Sequence, residues 1–264
     1  LRMSVFAESC SHITRPLQEL YNRINELGLI PRNFKIARVI MLHKKNSKQD
    51  MGNYRPISMA NHISKTWERV LNARLMIHLK RNNMLTRHQH GFRPKRGCHT
   101  NLMEAWEKII EKTAKYGPTV EVWSFDLQKA FDLLDHGKAL TLCHKAGING
   151  NVGKSLQNWL LSRDQYVQCG KETSEERKVN RSCVQGSVLG PTLWLIYVQS
   201  LLDMLEEKGC DHYAYADDVA IVAKISTPEE IESFKEILNT LLKWGDDYNM
   251  KWGAHKLSLI HISE

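Results

Sequence analysis

Residues 213–223, Tyr213-Ala-Tyr-Ala-Asp-Asp-Val-Ala-Ile-Val-Ala223, place two carboxylates side by side inside otherwise apolar, strand-forming sequence. Two unit charges about 5 Å apart at an effective dielectric of about 20 repel by about 3 kcal/mol, a sizeable fraction of a domain's net stability. A divalent cation offsets that repulsion, and Mg²⁺ in particular takes oxygen ligands. A third carboxylate, Asp126, lies near the end of another apolar stretch, Val120-Glu-Val-Trp-Ser-Phe-Asp-Leu127. If the two stretches are neighbouring strands, Asp126, Asp217 and Asp218 can hold two ions about 4 Å apart, an arrangement that clamps the attacking and leaving oxygens of phosphoryl transfer. Asp246-Asp247 is the internal control. It follows Gly245 in polar surroundings and is expected to be a solvated turn, so an Asp-Asp pair alone carries no chemistry.

The elements that must position these carboxylates are partly legible. Residues 213–216 and 219–223 read as the two strands of a hairpin with Asp217-Asp218 at its tip. Two-residue hairpin turns favour Asn-Gly or Asp-Gly, so turn geometry gives no reason for the second carboxylate. In residues 120–127, alternation puts Trp123, Phe125 and Leu127 on one face and Val120, Val122, Ser124 and Asp126 on the other. Ile63, Trp67, Val70, Leu71, Leu75 and Leu79 share one helical face, and a second helix is expected after Thr100. Between them, His90-Gly-Phe-Arg-Pro-Lys-Arg-Gly-Cys-His99 is a basic, Gly/Pro-punctuated loop with an embedded aromatic, suited to gripping phosphates. Asp135 is the expected N-cap of a helix that stops near Gly147. Thr227-Pro-Glu-Glu230 is a capping box opening an amphipathic helix that ends near Gly245. The stretch after Pro191 is apolar nearly all round and is expected to be a buried helix.

Composition narrows the partners. The 264-residue chain carries a net charge of +8. Residues 1–100 hold 19 Lys and Arg against 5 Asp and Glu, while the remainder holds 18 against 24. So basic a first part suits a polyanion, with counterion release from a phosphate backbone as the source of binding energy. The longest apolar run, residues 188–198, contains Gly190 and Pro191 and is too short to cross a bilayer, which takes about 20 residues; no membrane role and no signal peptide are expected. Six scattered cysteines without zinc-ribbon spacing read as reduced thiols of an intracellular protein, and no zinc is expected.

From about Pro16 to Lys256 the chain resembles the reverse transcriptases of non-LTR (LINE-type) retrotransposons. The motifs come in that family's order: Leu27 to Lys45, Asn53-Tyr-Arg-Pro-Ile-Ser58 and Gln89-His-Gly-Phe-Arg93 in the fingers, then Phe125-Asp-Leu-Gln-Lys-Ala-Phe-Asp132, Gln185-Gly-Ser-Val-Leu-Gly-Pro191 and Tyr215-Ala-Asp-Asp218. The resemblance implies an α+β fold, the fingers and palm of a right-hand polymerase, with an antiparallel palm sheet backed by helices and the thumb missing. It implies fingers over 1–115 with a return excursion at 147–180, palm over 116–146 and 181–256, and an atypical tail at 257–264. It gives Asp126, Asp217 and Asp218 the catalytic role of holding two Mg²⁺ ions.

Carried over position by position, the same resemblance makes Phe131 the aromatic gate against a ribose 2′-hydroxyl. Lys44, Lys45 and Arg55 resemble the residues that neutralise an incoming triphosphate. Gln185 and Gly186 resemble the nucleotide-pocket floor, where a glycine would let backbone approach sugar or base. Arg93 and Arg96 resemble template-backbone contacts, and Lys256 stands where the family has a lysine near the triphosphate. Three departures stand out: Ser182-Cys-Val184 before Gln185, Gly253 in place of the usual Asn, and the final eight residues. The implied reaction is RNA-templated DNA synthesis from dNTPs on a DNA primer, inside the cell, in nucleus and/or cytoplasm as a ribonucleoprotein. The alternatives are a group II intron or bacterial-type reverse transcriptase, and a catalytically inactive nucleic-acid-binding fragment.

Overall fold

The computed structural model describes residues 8–117, 120–253 and 258–261. Helix α1 (Cys10–Leu27) ends on Gly28 in the left-handed region, and a single turn, α2 (Arg32–Lys35), leads into β1 (Ile36–His43) and β2 (Tyr54–Met59). Helix α3 (His62–Arg81) starts where the Asn61 side chain accepts the Ile63 N–H, and it carries His78, Lys80 and Arg81 in its last turn, where cations favour the helix dipole. Of its expected apolar face, Trp67, Leu71, Leu75 and Leu79 are buried and Ile63 is half-buried, whereas Val70 is exposed. Helix α4 (Cys98–Tyr116) begins two residues before Thr100, because the Thr100 hydroxyl accepts the Gly97 N–H at 2.9 Å and closes the first turn.

Strand β3 (Val120–Gln128) is followed by a short turn of helix, α5 (Ala130–Leu133), and by α6 (His136–Lys145), capped by Asp135 as expected: its carboxylate accepts the Lys138 N–H at 3.0 Å. Helix α7 (Gly150–Leu160) leads to β4 (Arg163–Cys169), β5 (Glu172–Thr173) and β6 (Arg177–Val179). Helix α8 (Gly190–Glu207) is the all-round apolar helix, with Leu193 to Val198 every one buried. The hairpin strands are β7 (His212–Tyr215) and β8 (Asp218–Lys224). The Thr227 capping box opens α9 (Pro228–Asp247), and β9 (Lys251–Trp252) and β10 (Ser258–His261) follow.

These strands form two sheets. In the first, β2 pairs antiparallel with β1, β1 pairs parallel with β4, and β5 and β6 pair with β4. The second is antiparallel throughout its strand pairs, in the order β10-β3-β8-β7 with β9 on the end of β3. The alternation read in β3 separates two apolar clusters. Phe125 and Leu127 join the main core around Trp67, Trp159, Trp194 and Trp244, whereas Val120 joins Ile109, Tyr213 and Val222 beneath α4. Helix α4 therefore covers one face of the second sheet while α8 and α9 cover the other. Burial at this scale is the main stabilising term, about 1.5–3 kcal/mol for each large apolar side chain.

One helix end departs from expectation. Helix α9 does not stop at Gly245 but continues to Asp247, so Asp246-Asp247 forms an exposed last turn rather than a separate turn. Gly245 serves packing instead: it is buried, and a Cβ there would lie 2.9 Å from the Trp252 indole nitrogen and 3.2 Å from the Met250 carbonyl. All six cysteines are unpaired. Among the described residues no helix is long and apolar enough to cross a membrane.

Candidate active site

The hairpin turn is displaced by one residue from its expected position. Tyr215 pairs with Asp218, so the two turn residues are Ala216 and Asp217, and Asp218 is the first residue of β8. Ala216 has φ +58°, whereas Asp217 is not among the positive-φ residues; that sign pattern belongs to a type II′ turn, whose first position usually needs glycine. The Ala216 carbonyl accepts the Trp194 indole N–H at 2.8 Å, which ties the turn to the buried helix α8.

The register of the second sheet sets Asp126 directly opposite Asp218, and the Leu127 N–H reaches the Asp217 carbonyl at 3.4 Å. Asp126 is further bracketed by Gly253, whose N–H donates to the Asp126 carbonyl at 2.8 Å. A Cβ on Gly253 would lie 3.2 Å from Asp126 Oδ2, so the glycine at this departure from the family pattern leaves room beside the carboxylate. The backbone thus gathers Asp126, Asp217 and Asp218 at one end of the sheet. Their oxygen donors suit a hard divalent cation. As the side chains stand, no three His, Cys, Asp or Glu side chains among the described residues lie close enough together to hold a metal ion.

The second wall is the loop before α8. The Gln185 carbonyl accepts the Ser58 N–H at 2.8 Å, binding the loop to the edge of β2. Gly186 has φ +107°, and a Cβ there would lie 2.6 Å from the Ser58 carbonyl. The need for glycine comes from contact with β2, where the sequence suggested approach to a sugar or base. Gln185 Oε1 is a buried acceptor with no hydrogen-bond partner, which suits a polar ligand at this wall. Behind it stands Glu68 on α3, which the sequence reading did not single out. It is wholly buried, and its carboxylate accepts the Val188 N–H at 2.7 Å, the Leu189 N–H at 3.4 Å and the Ser64 hydroxyl at 3.3 Å.

Phe131, in the short helix after β3, makes an edge-to-face contact with Phe92 at 5.8 Å between centroids and packs on Trp194 at 5.7 Å. Next to it, burial pushes the Asp132 carboxyl above the usual carboxylate range, opposed by the positive charges of Lys129 and Lys44. Lys44 therefore acts electrostatically on the residues beside Phe131. Its own N–H donates to the Asn53 carbonyl and closes the β1–β2 loop. Lys44, Lys45 and Arg55 are exposed, Arg55 lying on β2 opposite Leu42.

Arg93 and Arg96 anchor their own loop: Arg93 Nη1 donates to the carbonyls of Thr86 and Gln89, and Arg96 Nη1 donates to the Arg87 carbonyl. Burial lowers the pKa of the Arg93 guanidinium. Lys256 lies outside the described residues. Gln89, which the sequence showed only as the first residue of a fingers motif, is 1% exposed and bonds to Ala216. Neither Glu68 nor Gln89 has a local signature, since each acts on a segment more than a hundred residues away.

Residues 42–263 match the family model described as "Reverse transcriptase (RNA-dependent DNA polymerase)". The chain is 27% identical over 246 residues to "Probable RNA-directed DNA polymerase from transposon BS" of Drosophila melanogaster, covering 90% of this chain and 27% of that protein. It is 26% identical over 245 residues to "RNA-directed DNA polymerase from mobile element jockey" of the same organism, covering 90% and 26%. It spans about a quarter of the length of these curated relatives. Among solved structures it is similar to telomerase from Candida albicans, with TM-score 0.66 and 11% identity over 93% of this chain and 46% of that one. A second similar structure is apo telomerase from Candida tropicalis, with TM-score 0.65 and 11% identity over 95% of this chain and 56% of that one. This likeness shows the fold, the α+β fingers and palm of a polymerase.

Proposed function

This chain belongs to the reverse transcriptase family, and from that premise we propose that it is the fingers and palm part of an RNA-directed DNA polymerase of a LINE-type retrotransposon. The observation that carries the reading is the register that sets Asp126 opposite Asp218, with Asp217 in the adjoining turn. In the proposed reaction a primer 3′-hydroxyl attacks the α-phosphate of a dNTP. A P–O bond to the primer forms, the bond to pyrophosphate breaks, and the hydroxyl proton leaves. Two Mg²⁺ ions, held by Asp126, Asp217 and Asp218 when bound, would supply nucleophile activation and charge neutralisation.

The chain's own residues do the rest by placement and charge. Lys44, Lys45 and Arg55 face the triphosphate, Phe131 meets the sugar, and Gln185 and Gly186 form the wall against which the nucleotide sits. Lys256 is proposed to act near the triphosphate. Arg93 and Arg96 shape the template-side loop, their Nη1 atoms held by its backbone. RNA template, DNA primer and dNTP are the proposed partners, and a ribonucleoprotein in the nucleus and/or cytoplasm is the proposed setting. The proposed division into fingers (1–115 with 147–180) and palm (116–146 and 181–256) is supported by the pairing of β4 with β1.

Primer extension on an RNA template tests the reading. The 264-residue chain is expected to extend primers poorly or not at all; joined to the C-terminal region of its parent element it should add dNTPs in Mg²⁺, and Asp217→Asn or Asp126→Asn should then reduce synthesis by about a hundredfold or more without lowering the melting temperature. Asp246→Asn should change nothing. Synthesis that survives Asp217→Asn overturns the assignment.

A further inference from the structure

The carboxylate-bearing turn is built on a residue poorly suited to it. Ala216 is held at φ +58°, and the first position of a type II′ turn is one that glycine fills with least strain. The constraint comes from a distant segment. Gln89 Oε1 accepts two backbone N–H groups, Gly91 at 2.7 Å and Ala216 at 3.1 Å, while its Nε2 donates to the Ala216 carbonyl at 3.2 Å. Two N–H donors on one side leave a single orientation for the amide. One side chain thus grips both the donor and the acceptor of the turn residue, and it is itself buried.

The surrounding backbone makes the same connection. The His90 N–H donates to the Ala214 carbonyl at 2.8 Å, and the Ala214 N–H donates to the His88 carbonyl at 2.9 Å. Residues 88–90 therefore lie parallel along β7, with Gln89 paired to Ala214. Gly91 then passes so close to the turn that a Cβ would lie 2.2 Å from the Ala216 nitrogen and 2.7 Å from its Cα. The same loop continues into Phe92, which touches Phe131.

We propose that Gln89 is a positioning residue: its side-chain amide holds Ala216 in the left-handed region and thereby sets the direction in which Asp217 and Asp218 leave the turn. The role rests on the polymerase reading of this site. The loop that carries Phe92, Arg93 and Arg96 and the hairpin that carries the carboxylates are, on this account, one mechanical unit.

Two readouts separate this proposal from that reading. Gln89→Met keeps the length of the side chain but removes the acceptor and the donor. Amide hydrogen exchange at Ala216, measured on the 264-residue chain without substrates, should accelerate by about tenfold or more in Gln89→Met. Primer extension should lose kcat with little change in the KM for dNTP. Ala216→Gly supplies a residue that adopts the turn unaided, so it should restore most of the kcat lost in the Gln89→Met background. Unchanged exchange at Ala216, or a Gln89→Met defect that Ala216→Gly fails to rescue, overturns the proposal. If synthesis by the chain joined to its parent's C-terminal region survives Asp217→Asn, the polymerase reading of this site fails, and the exchange measurement still decides whether Gln89 holds the turn.

Discussion

The carboxylate of Glu68, wholly buried on α3, accepts the backbone N–H of Val188 at 2.7 Å, a bond between residues 120 positions apart. It fixes the entry to α8, where the N–H groups of Val188 and Leu189, just before the helix, would otherwise lack these partners. The same charge opposes the burial that lowers the Arg163 guanidinium to about 10. One side chain thus satisfies the loop beside Gln185 and lends a favourable charge to the buried Arg163.

Glu68→Leu should lower stability by about 2–4 kcal/mol, because it strands two buried N–H groups and removes the charge that favours ionised Arg163. Glu68→Gln keeps an acceptor and should cost less than half as much. Urea unfolding of both variants checks this ordering. Equal midpoints for Glu68→Leu and the wild type would show that the loop holds itself.

Gly186→Ala should weaken nucleotide binding more than it weakens the fold. A methyl group 2.6 Å from the Ser58 carbonyl, at φ +107°, forces the Gln185 wall away from β2. Strain of this kind costs about 1–3 kcal/mol. The expected outcome is a KM for dNTP raised about tenfold with kcat less affected, measured by steady-state primer extension.

Stability should fall as pH drops from about 7.5 to 5.5. Burial holds the imidazoles of His88, His90, His136 and His212 below the usual value. The unfolded chain therefore takes up protons below about pH 6.5 that the fold refuses, and by linkage the unfolded state gains as pH decreases through that window. Asp132 and Asp203, raised by burial, work in the opposite sense but are two groups against four. Glu230, held down to about 2 by Lys224 and Ser226, changes only at lower pH. A urea midpoint that is flat or higher at pH 5.5 would contradict this.

The sequence made the locally encoded elements legible. Periodicity located α3, alternation separated the two faces of β3, and Asp135 and Thr227 capped their helices where expected, because each signal depends on neighbours within a few residues. The errors have the opposite origin. Which residues turn the hairpin depends on the register of β7 with β8, so Asp218 moved from tip to strand and Ala216 took the strained position. Gly245 and Gly186 read locally as a helix stop and a ligand contact. Their reasons are Trp252, Met250 and Ser58, packed against them through the tertiary fold. The tertiary roles of Gln89 and Glu68 were hidden for the same cause.

The parallel pairing of β1 with β4 joins Ile40 to Gln168. During synthesis at about 5–20 residues per second, the inner edge of β1 waits on the order of ten seconds for its mate to leave the ribosome. Through that interval a strand carrying Ile40 and Leu42, both still exposed in the finished fold, offers an open edge to other nascent chains. Strand β1 is thus made well before β4 can complete its pairing, and an edge that must wait so long is an opening for association between chains.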